Sequence, residues 1–125
     1  MSGNKLLDTN ILIHLSKKNI ELDAIINPEE SIFISVITYM EALGFSFKKK
    51  EEEDIMNRLC NDIPIIHLTT EIAEEVIKTK RNHKIKLPDA VIFSTAKVHH
   101  LELVTANIAD FKGLNGKVTI TNPIT

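Results

Sequence analysis

Short apolar runs alternate with helix-period stretches along the whole chain, and each run stops at a polar or acidic residue. Residues 5–8 read as a strand around Leu6 and Leu7, with Thr9 and Asn10 as N-cap residues for a helix through Ser16. After the turn Asn27-Pro28-Glu29-Glu30, residues 31–37 are rich in branched side chains and form the clearest strand. Thr38 is placed to cap a helix over 39–47, with Glu41 completing a capping box. The charge run 48–54 reads as the solvated face of a further helix through Cys60, whose buried stripe is Ile55, Met56, Leu59 and Cys60. Residues 64–68 make a short strand, and Thr69 or Thr70 caps a helix with the stripe Ile72, Ala73, Val76 and Ile77. Leu87-Pro88-Asp89 opens a helix that is apolar on most sides over 90–98 and closes at His99-His100, which predicts burial against two neighbours. Residues 101–105 and 117–121 supply the last strands, and 121–125 a surface tail. Such alternation predicts an α/β fold with a mostly parallel sheet of about five strands.

Composition narrows the class. The chain has 125 residues, 43% of them hydrophobic, which predicts one domain over 1–125 with a core that needs no staple. Its one cysteine, Cys60, excludes an internal disulfide framework and any cysteine-cluster metal site. Met1-Ser2-Gly3-Asn4-Lys5 is followed by only two apolar residues before Asp8, so no secretory leader is expected. No apolar run approaches the ~20 residues of a membrane span. The expected setting is cytoplasmic, with no membrane partner. Fifteen basic against 17 acidic residues leave a net charge of −2, so nucleic-acid binding must rely on local patches.

In an open parallel sheet, ligands bind beyond the carboxyl ends of the strands. Asp8 ends the first strand, Glu41 lies just past the second, Asp89 begins the buried helix, and Asn107 and Asp110 follow the fourth strand. Singly, each acid is an ordinary helix-start or turn residue. Gathered on one edge they repel: two unit charges about 4 Å apart cost about 4 kcal/mol at an effective dielectric of roughly 20. A divalent cation relieves that cost, and oxygen ligands select Mg²⁺ or Mn²⁺. A water on such a cation can attack a phosphodiester without a cysteine, serine or histidine nucleophile.

Four segments carry a family resemblance. Leu6-Leu7-Asp8-Thr9-Asn10-Ile11-Leu12-Ile13 resembles the opening motif of PIN-domain ribonucleases, and Ile34-Ser35-Val36-Ile37-Thr38-Tyr39-Met40-Glu41 their second. Leu87-Pro88-Asp89-Ala90-Val91-Ile92 is similar to the third motif, and residues 103–111 to the fourth, in the family's order and over nearly the whole chain. Within the family the chain most resembles the small VapC-like toxins of toxin–antitoxin pairs. The resemblance implies a single PIN-like domain with a five-stranded parallel sheet, a Mg²⁺- or Mn²⁺-dependent endoribonuclease, a cognate antitoxin, and a homodimer. It implies that Asp8, Glu41 and Asp89 are metal-site and catalytic acids. The fourth position is Asn107 where some relatives carry Asp, so either Asp110 takes that duty or Asn107 ligates or orients water as a neutral group. Thr9, Asn10 and Thr105 would orient the carboxylates.

Lys78, Lys80, Arg81, Lys84 and Lys86, with His83, crowd the stretch before Asp89. They read either as a solvated helix end or as an RNA phosphate track leading to the metal site; Lys48-Lys49-Lys50 read as plain solvent exposure. The histidines (His14, His67, His83, His99 and His100) lack metal-site spacing. Tyr39, Met40, Phe45 and Phe47 read as core; exposed, they would offer a groove to an antitoxin helix or a second subunit. Two alternatives stand: an RNA-processing nuclease outside a toxin–antitoxin pair, and a non-catalytic PIN-like binding module, which Asn107 favours. A phosphotransfer domain fits less well, because Asn10 stands where the haloacid pattern needs a second Asp.

Overall fold

The two leucines of the first strand are buried on opposite faces of the sheet, which requires helices on both sides. In the computed structural model, which describes residues 3–114 and 116–124, Leu6 packs with Ile92, Phe93 and Leu103, while Leu7 packs with Ile11, Leu12 and Ile34. Each has no exposed surface, and burial of each contributes roughly 1.5–3 kcal/mol. Met1, Ser2, Asn115 and Thr125, on which the leader, tail and domain-extent readings partly rest, lie outside the described residues.

The elements follow in the expected order: β1 (Lys5–Leu7), α1 (Thr9–Ser16), β2 (Ile32–Ser35), α2 (Val36–Leu43), α3 (Lys50–Asp62) and β3 (Ile65–Ile66). Then come α4 (Thr70–Asn82), α5 (Leu87–His99), β4 (Glu102–Val104) and β5 (Ile120–Thr121), with 3-10 turns at Leu22–Ala24 and Ile108–Phe111. The sheet runs β3-β2-β1-β4-β5 and every pairing is parallel, with Leu6 opposite Phe33 on one side and Leu103 on the other. The chain is therefore an α/β fold with five parallel strands. α1 and α3 cover one face, burying Ile11, Leu12, Met56 and Cys60; α5 covers the other, with α4 packed on it through Ile72 and Val76. β1 lies where the strand order reverses, and β2 and β4 flank it.

Several junctions differ from the sequence reading. Thr9 and Asn10 are not caps: Asp8 is the N-cap of α1, and its Oδ1 accepts from the Thr9 backbone N–H at 2.8 Å. α2 starts a turn earlier than expected, because Ser35 Oγ already accepts from the Ile37 N–H at 3.1 Å. Val36 and Ile37 thus leave the strand, Thr38 becomes a buried residue inside the helix, and Glu41 takes its bond from Thr9 instead of closing a capping box. The helix stops at Leu43, so Phe45 and Phe47 lie beyond it in an edge-to-face pair with centroids 4.9 Å apart. Tyr39 and Phe47 pack on the core as expected, but Met40 and Phe45 are exposed. Ile77 is also outside, at 52% exposure, because α4 turns Ile72 and Val76 toward α5 instead. At the edge away from these junctions, Lys5 Nζ lies 2.8 Å from Glu30 and 3.9 Å from Glu102. Among the described residues, no helix is long and apolar enough to cross a membrane.

Candidate active site

Asp8 stands at the carboxyl end of the central strand, nearly fully buried, and its carboxylate accepts three hydrogen bonds. Thr105 Oγ1 donates to Oδ2 at 2.8 Å, Asn10 Nδ2 donates to the same oxygen at 3.3 Å, and the Thr9 N–H donates to Oδ1. Burial nevertheless pushes the Asp8 carboxyl above its ordinary value; the Thr105 and Thr9 bonds oppose that shift, and the Glu41 charge adds to it. Asn10 is fixed in turn, its Oδ1 accepting from the Ala106 N–H at 2.9 Å. Thr105 Oγ1 also accepts from the Asn107 N–H at 3.0 Å.

Glu41 reaches the same edge from α2. Its Oε1 accepts from Thr9 Oγ1 at 2.6 Å, and the Thr9 and Thr38 hydroxyls lie 3.2 Å apart. Sequence reasoning marks Thr38 only as a cap; a hydroxyl one turn before the acid on the same helix is the signal that places it here. Asp89 sits in the first turn of α5. Its carboxyl is pushed up to about 6, first by burial, then by the charges of Asp110, Asp8 and Glu41, while Lys86 pulls it down. The four acids from four segments therefore act on one another. Asp110, exposed on the 3-10 turn after β4, accepts from Asn107 Nδ2 at 2.6 Å.

The donors at this edge are all oxygens, which suits a hard divalent cation such as Mg²⁺ or Mn²⁺. Among the described residues no three His, Cys, Asp or Glu side chains converge on one ion position.

The basic residues stand on the end of α4, the loop after it and the start of α5. Lys86 is the N-cap residue of α5, and its charge bears on Asp89. Lys80 Nζ donates to the Ile85 carbonyl at 2.8 Å, so it braces the loop that also carries exposed Lys84. Arg81 is exposed at the end of α4, and Lys78 Nζ lies 3.9 Å from Glu75 Oε1. His99 and His100 are exposed at the far end of α5, with His100 in the left-handed region at φ 55°.

The model of the PIN domain family matches residues 5–116. None of the curated proteins matches the chain. Among solved structures, a chain of a toxin–antitoxin complex from Klebsiella pneumoniae is 35% identical, with TM-score 0.72, and the match covers 95% of this chain and 97% of that one. A chain of VapBC2 from Rickettsia felis, bound to a DNA fragment from their promoter, is 22% identical with TM-score 0.77, covering 95% and 98%. One of VapBC-1 from nontypeable Haemophilus influenzae is 21% identical with TM-score 0.76, covering 98% and 99%. The last two likenesses are of fold.

Proposed function

This chain belongs to the PIN domain family, and from that membership we propose that it is a Mg²⁺- or Mn²⁺-dependent endoribonuclease, the toxin of a toxin–antitoxin pair. The observation that carries the reading is the Asp89 carboxyl, held up to about 6 by burial and by Asp110, Asp8 and Glu41. Acid charges that press on Asp89 this way favour a divalent cation among them. When bound, the cation would neutralise them and supply an activated water for attack on a phosphodiester.

The chain's own residues do the positioning. Thr105 and Asn10 hold Asp8 Oδ2, and Thr9 holds Glu41 Oε1, so two ligand carboxylates keep fixed directions. Asn107 donates to Asp110, which supports Asp110 as the fourth acid and Asn107 as its positioning residue. Lys86, Lys84 and Arg81 offer phosphate contacts beside Asp89, with Lys80 bracing their loop. The Klebsiella pneumoniae relative comes from a toxin–antitoxin complex, which supports a cognate antitoxin as partner. Exposed Met40, Leu43 and Phe45 beside Glu41 offer it an apolar surface. A homodimer and a cytoplasmic setting belong to the same reading.

The test is cleavage of single-stranded RNA with Mg²⁺ or Mn²⁺, against EDTA and against Asp8→Asn and Asp89→Asn. Metal-dependent cleavage lost in both variants is expected; undiminished cleavage by them would sink the assignment.

A further inference from the structure

Two clefts meet at the far end of α5 and share one lysine. The first, of about 220 Å³, is walled by Lys78, Asn82, His83 and Lys97 over a floor of Phe93 and Leu114. The second, of about 350 Å³, is lined by Lys97, His100, Gly116 and Lys117. Glu75 is the one acid among these described lining residues. Its Oε2 accepts from Lys97 Nζ at 2.7 Å, and its Oε1 lies 3.9 Å from Lys78 Nζ. A single carboxylate thus holds Lys97 and lies near exposed Lys78, against three lysines in the two linings.

The position of Lys97 is built into the fold. Gly116 has φ +132°, and a Cβ there would stand 3.4 Å from Lys97 Cε and 3.7 Å from Phe93 Cζ. Gly116 thus runs beside the Lys97 stem and the buried Phe93 ring, and the Lys97 side chain is 35% exposed.

The clefts are also tied to the acidic edge. Asp89, Phe93, Lys97 and His100 recur at spacings of four, four and three, which is one stripe of α5. The helical rise puts Lys97 about 12 Å from Asp89 along that stripe. The segment whose Asp110 bears on Asp89 returns to α5 at Gly116, beside Lys97.

We propose that these joined clefts are a second phosphate-binding site, holding the backbone of an RNA strand whose reacting phosphodiester lies at the acidic edge. The site rests on the ribonuclease reading above. Its positively charged groups, Lys78, Lys97 and Lys117, are ammoniums that meet phosphate rather than base, and Phe93, being buried, offers no face for stacking.

The test compares wild type with Lys97→Gln/Lys117→Gln. Binding of a labelled long oligouridylate in EDTA is followed by fluorescence anisotropy across a salt series. Removing one lysine–phosphate pair flattens the log–log salt slope by about 0.7, so the double variant should flatten it by about 1.4 and weaken low-salt binding about tenfold. With metal, KM for the long RNA should rise at unchanged kcat, while cleavage of an oligonucleotide too short to span both sites stays as it was. An unchanged slope and KM overturns the site, as does an equal loss of kcat on both substrates. Lys117→Gln alone, at an exposed position, should flatten the slope by about 0.7 and covers the case where the Lys97 variant folds poorly. If wild type cleaves no RNA and the lysine variants still flatten the slope, the phosphate site stands and the ribonuclease reading falls. Tighter binding of duplex DNA than of RNA, sensitive to the same lysines, overturns RNA as the occupant.

Discussion

The hydroxyl of Thr105 donates a 2.8 Å hydrogen bond to Asp8 Oδ2, joining the ends of two adjacent strands across 97 positions of the chain. Thr105 has no exposed surface, gives its one hydrogen to the carboxylate, and accepts from the Asn107 N–H and from Asn10 Nδ2. Thr105→Val keeps the volume and removes all of this. We expect a 10- to 100-fold loss of metal affinity or cleavage, of the kind seen when a ligand loses its orienting partner. Urea unfolding should show a loss of about 1–3 kcal/mol from the orphaned groups. Activity within twofold of wild type would show that Asp8 is oriented without it.

Asp89 predicts a pH dependence of stability. Its folded value of about 6 lies above the ordinary 3.8, so the fold favours the protonated acid. That contribution is full below about pH 4 and disappears as pH rises through about 6. Asp8, also raised, acts in the same direction. In EDTA the Tm should therefore fall between pH 4 and 7, and Mn²⁺ should restore more of it at pH 7 than at pH 5. Asp89→Asn should flatten the profile; a Tm in EDTA that rises steadily to pH 7 would refute the sign.

The 2.6 Å bond from Thr9 Oγ1 to Glu41 Oε1 is a hydroxyl contact, so the methyl group of Thr9 is dispensable to it. Thr9→Ala should reduce cleavage by about tenfold, and Thr9→Ser should recover it. Equal activity in the two variants would assign the effect to packing.

Ser35, not Thr38, caps α2. Ser35→Ala should lower stability by about 1 kcal/mol through the lost cap, measured by thermal or urea unfolding. No such loss would return the cap to another residue.

The parts of the fold visible in the sequence are those set by periodicity. Leu6-Leu7 and the apolar α5 read correctly because burial on both faces leaves little choice of residue, and Met56 and Cys60 because one helix face packs on the core. The helix starts are less legible, because hydroxyls and acids compete locally for the same cap. Asp8, Thr9 and Asn10 can each cap α1, and Ser35 and Thr38 can each cap α2; tertiary partners decide. Thr105 and Val104 take Asp8, which makes it the cap, and Glu41 takes Thr9. The candidate acids are visible in the sequence because Asp8 and Asp110 follow strands, Asp89 opens a helix, and Glu41 lies in the helix after β2. Lys97 and Lys117 are not, since their meeting depends on the path of the chain past Gly116.

The central place of β1 has a consequence for the order of synthesis. The ribosome makes Asp8 early, but its buried partner Thr105, and Asp110, belong to the opposite side of the sheet. A chain still being translated carries Asp8 and Glu41 without Thr105 and Asp110, and such distant pairings form late in folding. The acidic edge cannot close until the codons for 102–110 have been read. For a protein whose proposed substrate is RNA, that chain order would leave the site incomplete until most of its own message has been translated.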